Sequence, residues 1–362
     1  MIPIPSRIKN ILIIRLGAIG DVIQTLPTIT QLKKNFPQAR IHWAIEEKSY
    51  PIIKDHPGVE FHIFPKEKLR MKNPIGAFFH LWMFARSLRD VPIDLAIDLQ
   101  GLFKSGLVAY LSGPRMKLGF HRFNTREGNC LFLDSTLPPI PERTMHRIDF
   151  YQQMIPAIGG QLFPLDDPFE FHLTETEEKG FKVLTHRLRI KSPYILLNLG
   201  SSKQTKRWSA QGFIQLIQSI RQNYARHHIL LTGSGEADSR FEREILKSLE
   251  PQAVQSAVNK TSLRELALLV KNSAFLVSGD SLALHLGSAF RVPSIGLFGG
   301  SALAIETKPY WPEYPGLDHP IPCYPCRKKT CSHHSCMVNL TSSTVFENLL
   351  RLYPPPVQKK RS

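Results

Sequence analysis

The sequence lacks any long uncharged apolar run. Its longest candidate, from Asn73 to Ala85, is shorter than the roughly 20 residues of a transmembrane helix. Its 5 cysteines are too few and too clustered for the disulfide framework of a small secreted domain. The first residues show no small-residue cleavage site of the kind that ends a signal peptide. We therefore expect a cytoplasmic chain without a membrane-spanning helix.

Acidic residues are also scarce relative to basic ones. The 362 residues include 30 Asp and Glu against 46 Lys and Arg, a formal net charge of +16. Residues 1–175 contribute +4 and residues 176–362 contribute +12, so the excess favours an anionic ligand bound mainly by the second half. With 42% apolar residues and 21 Phe, the chain has enough material for packed cores, which excludes a disordered polyelectrolyte.

The chain contains an alternation of short apolar runs and helical patterns, which is typical of α/β proteins. The alternation occurs twice, and each block opens with a strand followed by a glycine-bearing turn. We expect two Rossmann-like domains, over residues 1–175 and 176–342, followed by a terminal helix and a basic, proline-rich tail over 343–362. The predicted strands are Ile11–Ile14, Ile41–Ala44, Phe61–Phe64, Leu95–Ile97, Tyr194–Leu199, His228–Thr232, Phe275–Ser278 and Ser294–Phe298.

The segment Arg15-Leu-Gly-Ala-Ile-Gly-Asp21 lies between the first strand and the first helix. Gly17 and Gly20 permit a close backbone approach, and the helix N-terminus offers free N–H groups to an anion. The spacing differs from the dinucleotide fingerprint G-x-G-x-x-G. Asp21 either caps the helix or faces a ligand at the carboxyl end of the strand.

The segment Gly200-Ser-Ser-Lys-Gln-Thr-Lys-Arg-Trp208 occupies the same position in the second block. Ser201, Ser202 and Thr205 offer hydroxyl donors. Lys206 and Arg207 offer positive charge, and the combination suits a phosphate group. The glycine and lysine spacing is not that of a Walker A loop, so an ordinary polar turn is the alternative interpretation.

Two further turns of the second block are candidate sites. A glycine turn ends at Glu236, which either accepts hydrogen bonds from ribose hydroxyls or belongs to an ordinary strand–helix turn. A strand is followed by Asp280 and Ser281 at a helix start, where backbone amides can hold a diphosphate. His285 lies one turn into that helix among leucines, so it is either a packed core residue or part of the site.

A cysteine cluster lies near the C-terminus. The spacing C-x2-C-x4-C-x4-C, with two histidines inside it, suits a structural zinc ion. Reduced structural cysteines, or a disulfide under some conditions, are the alternatives. The four residues are Cys323, Cys326, Cys331 and Cys336.

These motifs, in this order, resemble glycosyltransferase family 9, the lipopolysaccharide heptosyltransferases of GT-B fold. The resemblance extends from about Ile11 to Leu350, and its most specific part is R-x-G-A-x-G-D followed by L-P, here Arg15 to Pro27. Three further segments that match are T-K-R-W at 205–208, G-D-S-x-x-x-H at 279–285 and G-L-F-G at 296–299. Segments 43–47, 98–105 and 125–127 are most similar to heptosyltransferase I.

The resemblance implies an inverting transfer of L-glycero-D-manno-heptose from ADP-heptose to the Kdo/lipid A inner core of lipopolysaccharide. It implies a GT-B fold in which two Rossmann-like domains face each other across a cleft. Asp21 would act as the general base that deprotonates the acceptor. The donor would contact Ser201, Ser202, Thr205, Lys206, Glu236, Asp280, Ser281 and His285. The acceptor would contact Gly17, Gly20, Lys66, Lys68, Arg70, Lys72, Lys104 and Arg126.

The resemblance also implies no cofactor, no catalytic metal and no nucleic-acid partner, with peripheral contact at the inner face of the cytoplasmic membrane. The chain departs from the family at Leu282, where D-T-G is usual after the donor strand, and this departure questions which sugar nucleotide is used. Heptosyltransferase II, or another member with a different core acceptor, is the nearby alternative. A basic nucleic-acid-binding α/β protein is the alternative from a different class, although the sequence has no helix-turn-helix, RRM or zinc-finger signature.

Overall fold

The computed structural model describes residues 8–69, 74–125, 127–141, 143–326 and 328–356. The chain divides into two compact units, the first ending at His172 and the second beginning at Leu173. The division lies three residues before the boundary expected from the sequence. Each unit has its own parallel sheet and is described separately.

The first unit is built on a six-stranded parallel sheet in the order β3-β2-β1-β4-β5-β6. The order reverses beside β1, which makes the carboxyl ends of β1 and β4 the switch point where such sheets bind ligands. β1 and β4 are almost entirely buried because they are continuous apolar runs covered on both faces. The strands are β1 Asn10–Ile14, β2 Arg40–Glu46, β3 Val59–Phe64, β4 Leu95–Asp98, β5 Met116–Gly119 and β6 Ser135–Thr136.

The helices of the first unit connect these strands. The longest, α1, is buried at every position from Val22 to Leu32, so it is covered on all sides. Short 3-10 turns complete the connections at 88–90, 122–124 and 129–132. The α-helices are α1 Ile19–Asn35, α2 Tyr50–Ile53, α3 Lys66–Leu69, α4 Pro74–Ser87, α5 Phe103–Leu111, α6 Arg147–Gln152 and α7 Met154–Ala157.

The second unit repeats the same topology. Its six parallel strands have the order β12-β11-β10-β7-β8-β9, with the reversal beside β7. The carboxyl ends of β7 and β10 therefore form its switch point. The strands are β7 Tyr194–Asn198, β8 His228–Thr232, β9 Gln255–Ser256, β10 Phe275–Gly279, β11 Ser294–Phe298 and β12 Gly316–Asp318.

The C-terminal helix packs into the core of the second unit. Val345 and Leu349 are fully buried with Ile217 of the helix that follows β7, and the Trp208 indole donates to the carbonyl of Leu340 at 2.8 Å. Residues 357–362 of the predicted tail lie outside the described residues. The helices are α8 Glu175–Leu188, α9 Ala210–Asn223, α10 Glu236–Leu246, α11 Leu263–Lys271, α12 Leu282–Ala289, α13 Ala304–Thr307, α14 Ser335–Val338 and α15 Ser342–Leu352.

The predicted strands all occur, and their ends differ from the predicted ones by at most two residues. The helices α3, α5, α8, α13 and α14 were not predicted, nor were the strand β5 and the edge strands β6, β9 and β12. Two further short helices that were not predicted, α6 and α7, lie between β6 and α8. None of the helices in the described ranges is long and apolar enough to cross a membrane.

Candidate active site

An arginine–aspartate pair lies at the junction of β1 and α1. Asp21 is in the first turn of α1, its side chain is 36% exposed, and it forms a salt bridge with buried Arg15. Arg15 also donates to the carbonyl of Leu99 at 2.9 Å and lies over the ring of Tyr151 at 5.4 Å. Burial alone would lower the pKa of Arg15, but the charge and hydrogen bond of Asp21, together with Tyr151 and Asp98, outweigh burial and the pKa is raised. Asp21 is thus a positioned carboxylate with one side open to solvent.

The capping alternative for Asp21 is wrong, because Ala18 occupies the N-cap position of α1. Asp21 is the third residue of the helix, so its charge lies close to the positive end of the helix dipole. Its neighbour Gly20 is the second residue of the helix and is half-buried.

Three residues predicted to bind the acceptor meet at a carboxylate that the sequence analysis did not select. Glu46 ends β2, and its two oxygens accept from Lys66 at 2.5 Å and from Lys104 at 2.9 Å. A Cβ at Gly17 would lie 3.0 Å from the Glu46 carboxylate, so a side chain there would crowd it. Burial raises the pKa of Glu46, but the two ammonium groups outweigh burial and lower it. The lysines are therefore fixed beside the loop that leads to Asp21.

A second buried carboxylate organises the loop after β4. Asp98 accepts from the backbone N–H groups of Gln100 at 2.9 Å and Gly101 at 3.1 Å, and from the side chains of Ser105 and Asn129, each at 2.9 Å. Burial raises its pKa, and these donors only partly offset the rise. The loop presents the Gln100 side chain to the N–H of residue 16 at 2.6 Å, which joins it to the β1 loop.

The remaining acceptor predictions lie apart from this cluster or outside the described residues. Lys68 is exposed on α3. Arg70, Lys72 and Arg126 lie outside the described residues.

The second unit gathers three predicted donor residues around Asp280. Lys206 forms an ion pair with one oxygen of Asp280, and His285 Nε2 lies 3.7 Å from the other oxygen. All three side chains are largely buried. Burial raises the pKa of Asp280, but contact with His285 and the charge of Lys206 outweigh it and hold the pKa well below its usual range. His285 is therefore buried, as its apolar neighbours indicated, and also part of this cluster.

A hydroxyl and amide network connects the start of α12 to β7. Ser281 is the N-cap residue of α12, and its hydroxyl contacts Ser278 at 2.8 Å and accepts from the Asn198 amide at 2.9 Å. Thr232 donates to the Asn198 carbonyl oxygen at 3.2 Å. The network fixes the loop at the α12 N-terminus, where free N–H groups favour an anion.

The loop of residues 200–208 is tied to the cysteine cluster. The Thr205 hydroxyl donates to the carbonyl of Lys328 at 2.8 Å, and Ser301 donates to the carbonyl of Thr205 at 3.1 Å. Ser201 donates within its own loop to the carbonyl of Lys203 at 2.7 Å, and Ser202 is exposed. The buried Thr205 hydroxyl thus has a protein partner, whereas Ser202 is open to solvent.

The glycine turn after β8 has its own ion pair. Asp238 is buried and contacts Arg207 at 2.5 Å and the N–H of Ser234 at 2.8 Å. Glu236, the predicted nucleoside residue, is exposed near two arginines of α10, Arg240 at 3.7 Å and Arg243 at 3.3 Å. Asp238 therefore has a structural role in this turn, while Glu236 stays accessible.

The four clustered cysteines line one pocket with His333 and His334. Cys323 Sγ lies 3.9 Å from His333 Nε2, and the backbone N–H groups of His334 and His333 lower the pKa of Cys331. In the part of the chain that the structure describes, these thiols do not supply three ligand atoms within 4.8 Å of one another. Thiolate and imidazole donors suit zinc, but binding would require the side chains to move closer together.

Glu46 and Asn198 are central residues of these clusters that the sequence analysis did not select, whereas Arg207 was selected for its positive charge and lies in an ion pair with Asp238. Glu46 was visible only as part of a segment similar to heptosyltransferase I. The position of Asn198 at the carboxyl end of a buried strand was a usable signal, because such ends meet at the ligand-binding edge. Arg207 adjoins Lys206 in the same motif.

Comparison with known proteins identifies the family. The chain matches glycosyltransferase family 9 (heptosyltransferase) over residues 81–337. The chain belongs to this family. This confirms the resemblance found in the sequence and establishes the protein as a glycosyltransferase, whereas a nucleic-acid-binding protein was the alternative class.

The relatives of this chain include heptosyltransferases of more than one type, numbered 1 and 2. The chain is 29% identical to lipooligosaccharide heptosyltransferase 2 of Campylobacter jejuni serotype O:6, with 93% of this chain and 97% of the relative covered. It is 26% identical to lipopolysaccharide heptosyltransferase 1 of Pseudomonas aeruginosa, with 90% and 88% covered. Both identities are low, and no individual member is favoured.

A solved family 9 structure confirms the predicted GT-B fold. The E. coli heptosyltransferase WaaC with ADP-2-deoxy-2-fluoro heptose superposes with a TM-score of 0.70 at 20% identity, covering 94% of this chain and 99% of that chain. The match agrees with the two six-stranded parallel sheets described above.

Proposed function

We propose that this family 9 chain is an inverting heptosyltransferase that moves L-glycero-D-manno-heptose from ADP-heptose to the Kdo/lipid A inner core of lipopolysaccharide. The observation that carries the proposal is the half-exposed Asp21, held by Arg15 at the switch point of the first sheet. Related proteins named for lipopolysaccharide and lipooligosaccharide, and a solved relative with an ADP-heptose analogue, support the substrates.

The donor half of the proposal rests on the Lys206–Asp280–His285 cluster. Lys206 supplies positive charge to the diphosphate, and the N-terminal amides of α12 behind Ser281 bind phosphate oxygens. As the bond from the sugar to the diphosphate breaks, negative charge grows on the leaving phosphate. Lys206 and the helix dipole then stabilise the transition state more than the ground state.

The acceptor half rests on Asp21 and the lysines near it. Asp21 takes the proton of the acceptor hydroxyl while that oxygen attacks the anomeric carbon, and a single displacement inverts the configuration. Lys66, Lys104 and exposed Lys68 supply positive charge to the acidic groups of Kdo and the lipid A phosphates. Arg15 orients Asp21 through their salt bridge.

The test is transfer of heptose from ADP-heptose to Kdo2-lipid A by wild type, Asp21→Asn and Asp21→Ala. We expect both variants to lose about 10²- to 10⁴-fold in kcat, the usual contribution of a general base. Asp134→Asn, which removes an ion-paired carboxylate elsewhere in the first unit, is the matched control. Retention of kcat by folded Asp21→Asn would contradict the base assignment.

A second candidate is heptosyltransferase II, because relatives of that number are as similar as those numbered 1. It uses the same donor residues with an acceptor that already carries one heptose. Parallel assays with Kdo2-lipid A and its monoheptosylated form distinguish the two, and activity only on the latter would replace the first acceptor assignment.

We also propose that the protein works at the cytoplasmic side of the membrane through α4. Leu81 and Phe84 of this helix pack inward, but Phe78 is 55% exposed and Phe79 53% exposed. Only some of the large apolar side chains of α4 therefore pack into the core of the first unit. Lys68 on the neighbouring α3 adds a positive charge that favours anionic lipids.

Co-sedimentation with anionic liposomes tests this contact. Phe78→Ser with Phe79→Ser is expected to reduce binding, whereas Val183→Ser, an exposed apolar residue of α8, is the control that leaves it unchanged. Equal binding by the folded double variant and wild type would refute a membrane role for α4.

For the cysteine pocket we propose a structural zinc ion held by Cys323, Cys326, Cys331 and Cys336. Their common pocket supports the proposal, and closure of the loop would bring the sulfurs together. Zinc content measured by elemental analysis should fall by one equivalent from wild type to a variant with Cys323→Ser and Cys331→Ser. Metal-free wild type after growth with added zinc would refute it.

A further inference from the structure

Three side chains of metal-binding type meet on the sheet of the first unit. His42 lies on β2, and Glu60 and His62 lie on β3. Because His42 pairs in register with Glu60, and His62 follows two residues later, the three side chains share one face of the sheet. Their ligand atoms all lie within 4.8 Å of one another.

This cluster is separate from the proposed transfer reaction. His42 is near the amino end of β2, whereas Glu46 is at its carboxyl end, four residues or about 13 Å further along the strand. Ligands of parallel sheets bind at the carboxyl edge, so the cluster lies towards the opposite edge of the sheet. The heptose transfer gives it no role.

The hydrogen bonds around His42 determine which of its nitrogens carries a lone pair. The Asn10 amide nitrogen donates to the carbonyl of Pro92 at 3.1 Å, which turns the Asn10 carbonyl oxygen towards His42 Nε2 at 3.4 Å. Since that oxygen can only accept, Nε2 carries the proton of the neutral imidazole and Nδ1 has the lone pair. A ligating histidine commonly has its second nitrogen fixed in this way by an oxygen.

The lone pair of His42 Nδ1 faces two other potential ligands. His62 Nε2 lies 3.1 Å away and Glu60 Oε2 lies 3.5 Å away. A carboxylate oxygen and an unprotonated imidazole nitrogen are both acceptors, so they cannot form a hydrogen bond with each other. Their close approach is favourable when a cation lies between them. At metal–ligand distances of about 2.0–2.1 Å, tetrahedral geometry separates ligand atoms by roughly 3.3 Å, close to both observed separations.

We propose that His42, Glu60 and His62 bind a divalent transition metal ion of the zinc class. Two imidazoles and one carboxylate are ligands that such ions prefer. Glu60 is 59% exposed, which leaves the fourth position to water and gives the ion a path from solvent. The ion connects β2 to β3 at the amino edge of the first sheet, so it stabilises that unit and leaves the transfer chemistry to other residues.

The test uses the full-length chain, stripped of metal with a chelator and titrated with Co²⁺ and then with Zn²⁺. Co²⁺ bound by nitrogen and oxygen ligands lacks the thiolate charge-transfer absorption, which separates this site from the cysteine pocket. We expect Glu60→Gln and His62→Gln to weaken the nitrogen–oxygen site by about 100-fold or more, since even supporting residues contribute about 10- to 100-fold. His186→Gln, which alters an exposed histidine of α8, is the control.

A second readout is thermal unfolding with and without Zn²⁺, because a metal that binds only the folded chain raises Tm. In the variant with Cys323→Ser and Cys331→Ser, Zn²⁺ should still raise Tm. Adding Glu60→Gln to that variant should abolish the remaining increase. Glu60 is exposed, so this variant is expected to fold even if His62→Gln does not. Unchanged Co²⁺ binding in folded Glu60→Gln would overturn the proposal, leaving only a hydrogen-bonded pair of neutral histidines.

Discussion

The ion pair between Lys206 and Asp280 allows a sharp test of the donor site. Replacing Lys206 by Met keeps the length of the side chain but removes its charge from a position where the lysine is 16% exposed and the aspartate 11% exposed. Removing one partner of a buried pair typically costs 3–5 kcal/mol, and the residual exposure together with His285 places the loss near the lower limit, at about 3 kcal/mol.

The same substitution should weaken binding of the diphosphate. A hydrogen bond to a charged group contributes about 1.5–3 kcal/mol, so the Kd for ADP should rise roughly 10- to 100-fold. Binding of adenosine, which has no phosphate, should not change. Isothermal titration calorimetry with both ligands measures the difference, and Lys271→Met, which removes an exposed lysine paired with Glu178, is the control.

The pH dependence of stability provides an independent check. Because the folded-state pKa of Asp280 is lowered, its ion pair stabilises the protein fully above the unfolded pKa of about 3.9 and is lost as the pH falls below that value. The stability difference between wild type and Lys206→Met should therefore shrink below about pH 4. An unchanged Kd for ADP in a destabilised Lys206→Met would refute the diphosphate role and leave Lys206 as only the partner of Asp280.

Three further substitutions have defined outcomes. Glu46→Gln should lower the unfolding free energy by about 1–3 kcal/mol in urea denaturation, because Lys66 and Lys104 lose the negatively charged partner that they share. The Kd for ADP should not change, and a weaker ADP complex would contradict this expectation. Arg264 lowers the pKa of Glu177 to about 2, so Glu177→Gln should cost about 1 kcal/mol at pH 7, and less as the pH falls from about 4.5 towards 2; a pH-independent loss measured by denaturation would be inconsistent. Leu282→Gly, which restores the glycine usual in the family, should lower the ratio of kcat/KM for other ADP-sugars to that for ADP-heptose, and an unchanged ratio would remove Leu282 as a specificity residue.

The sequence was most informative where the residues that contact each other lie within one short strand–turn–helix segment. Arg15 and Asp21 are six residues apart, and the strand–turn–helix between them brings the two side chains together. Asp280 and His285 likewise lie on one strand–helix turn. In such cases local geometry determines the contact, so the sequence pattern is sufficient to predict it.

The cluster around Glu46 shows what a local pattern cannot provide. Lys66 and Lys104 are 20 and 58 residues away from it, and they meet only because the sheet order places their loops beside β2. No periodicity in the sequence contains this information. The basic residues between positions 66 and 72 could therefore be identified from the sequence, but Glu46, the partner of Lys66, could not.

The missed elements have comparable physical causes. α8 buries only Leu184, so its apolar pattern is weak, although the capping box of Thr174 and Glu177 was a signal for its start. β5 is four residues long and contains Lys117, and β6 and β9 have two residues each. Strands this short are formed by pairing with their neighbours and have little pattern of their own.

The hydrogen bond from Thr205 to Lys328 has a consequence for protein engineering. The cysteine loop supplies the only acceptor described for a buried hydroxyl, one residue away from Lys206. A shortened loop would leave that hydroxyl without a partner, at a cost of about 1–3 kcal/mol. The cysteine segment therefore cannot be trimmed or exchanged between relatives as an independent module, because its backbone also supports the lysine of the donor site.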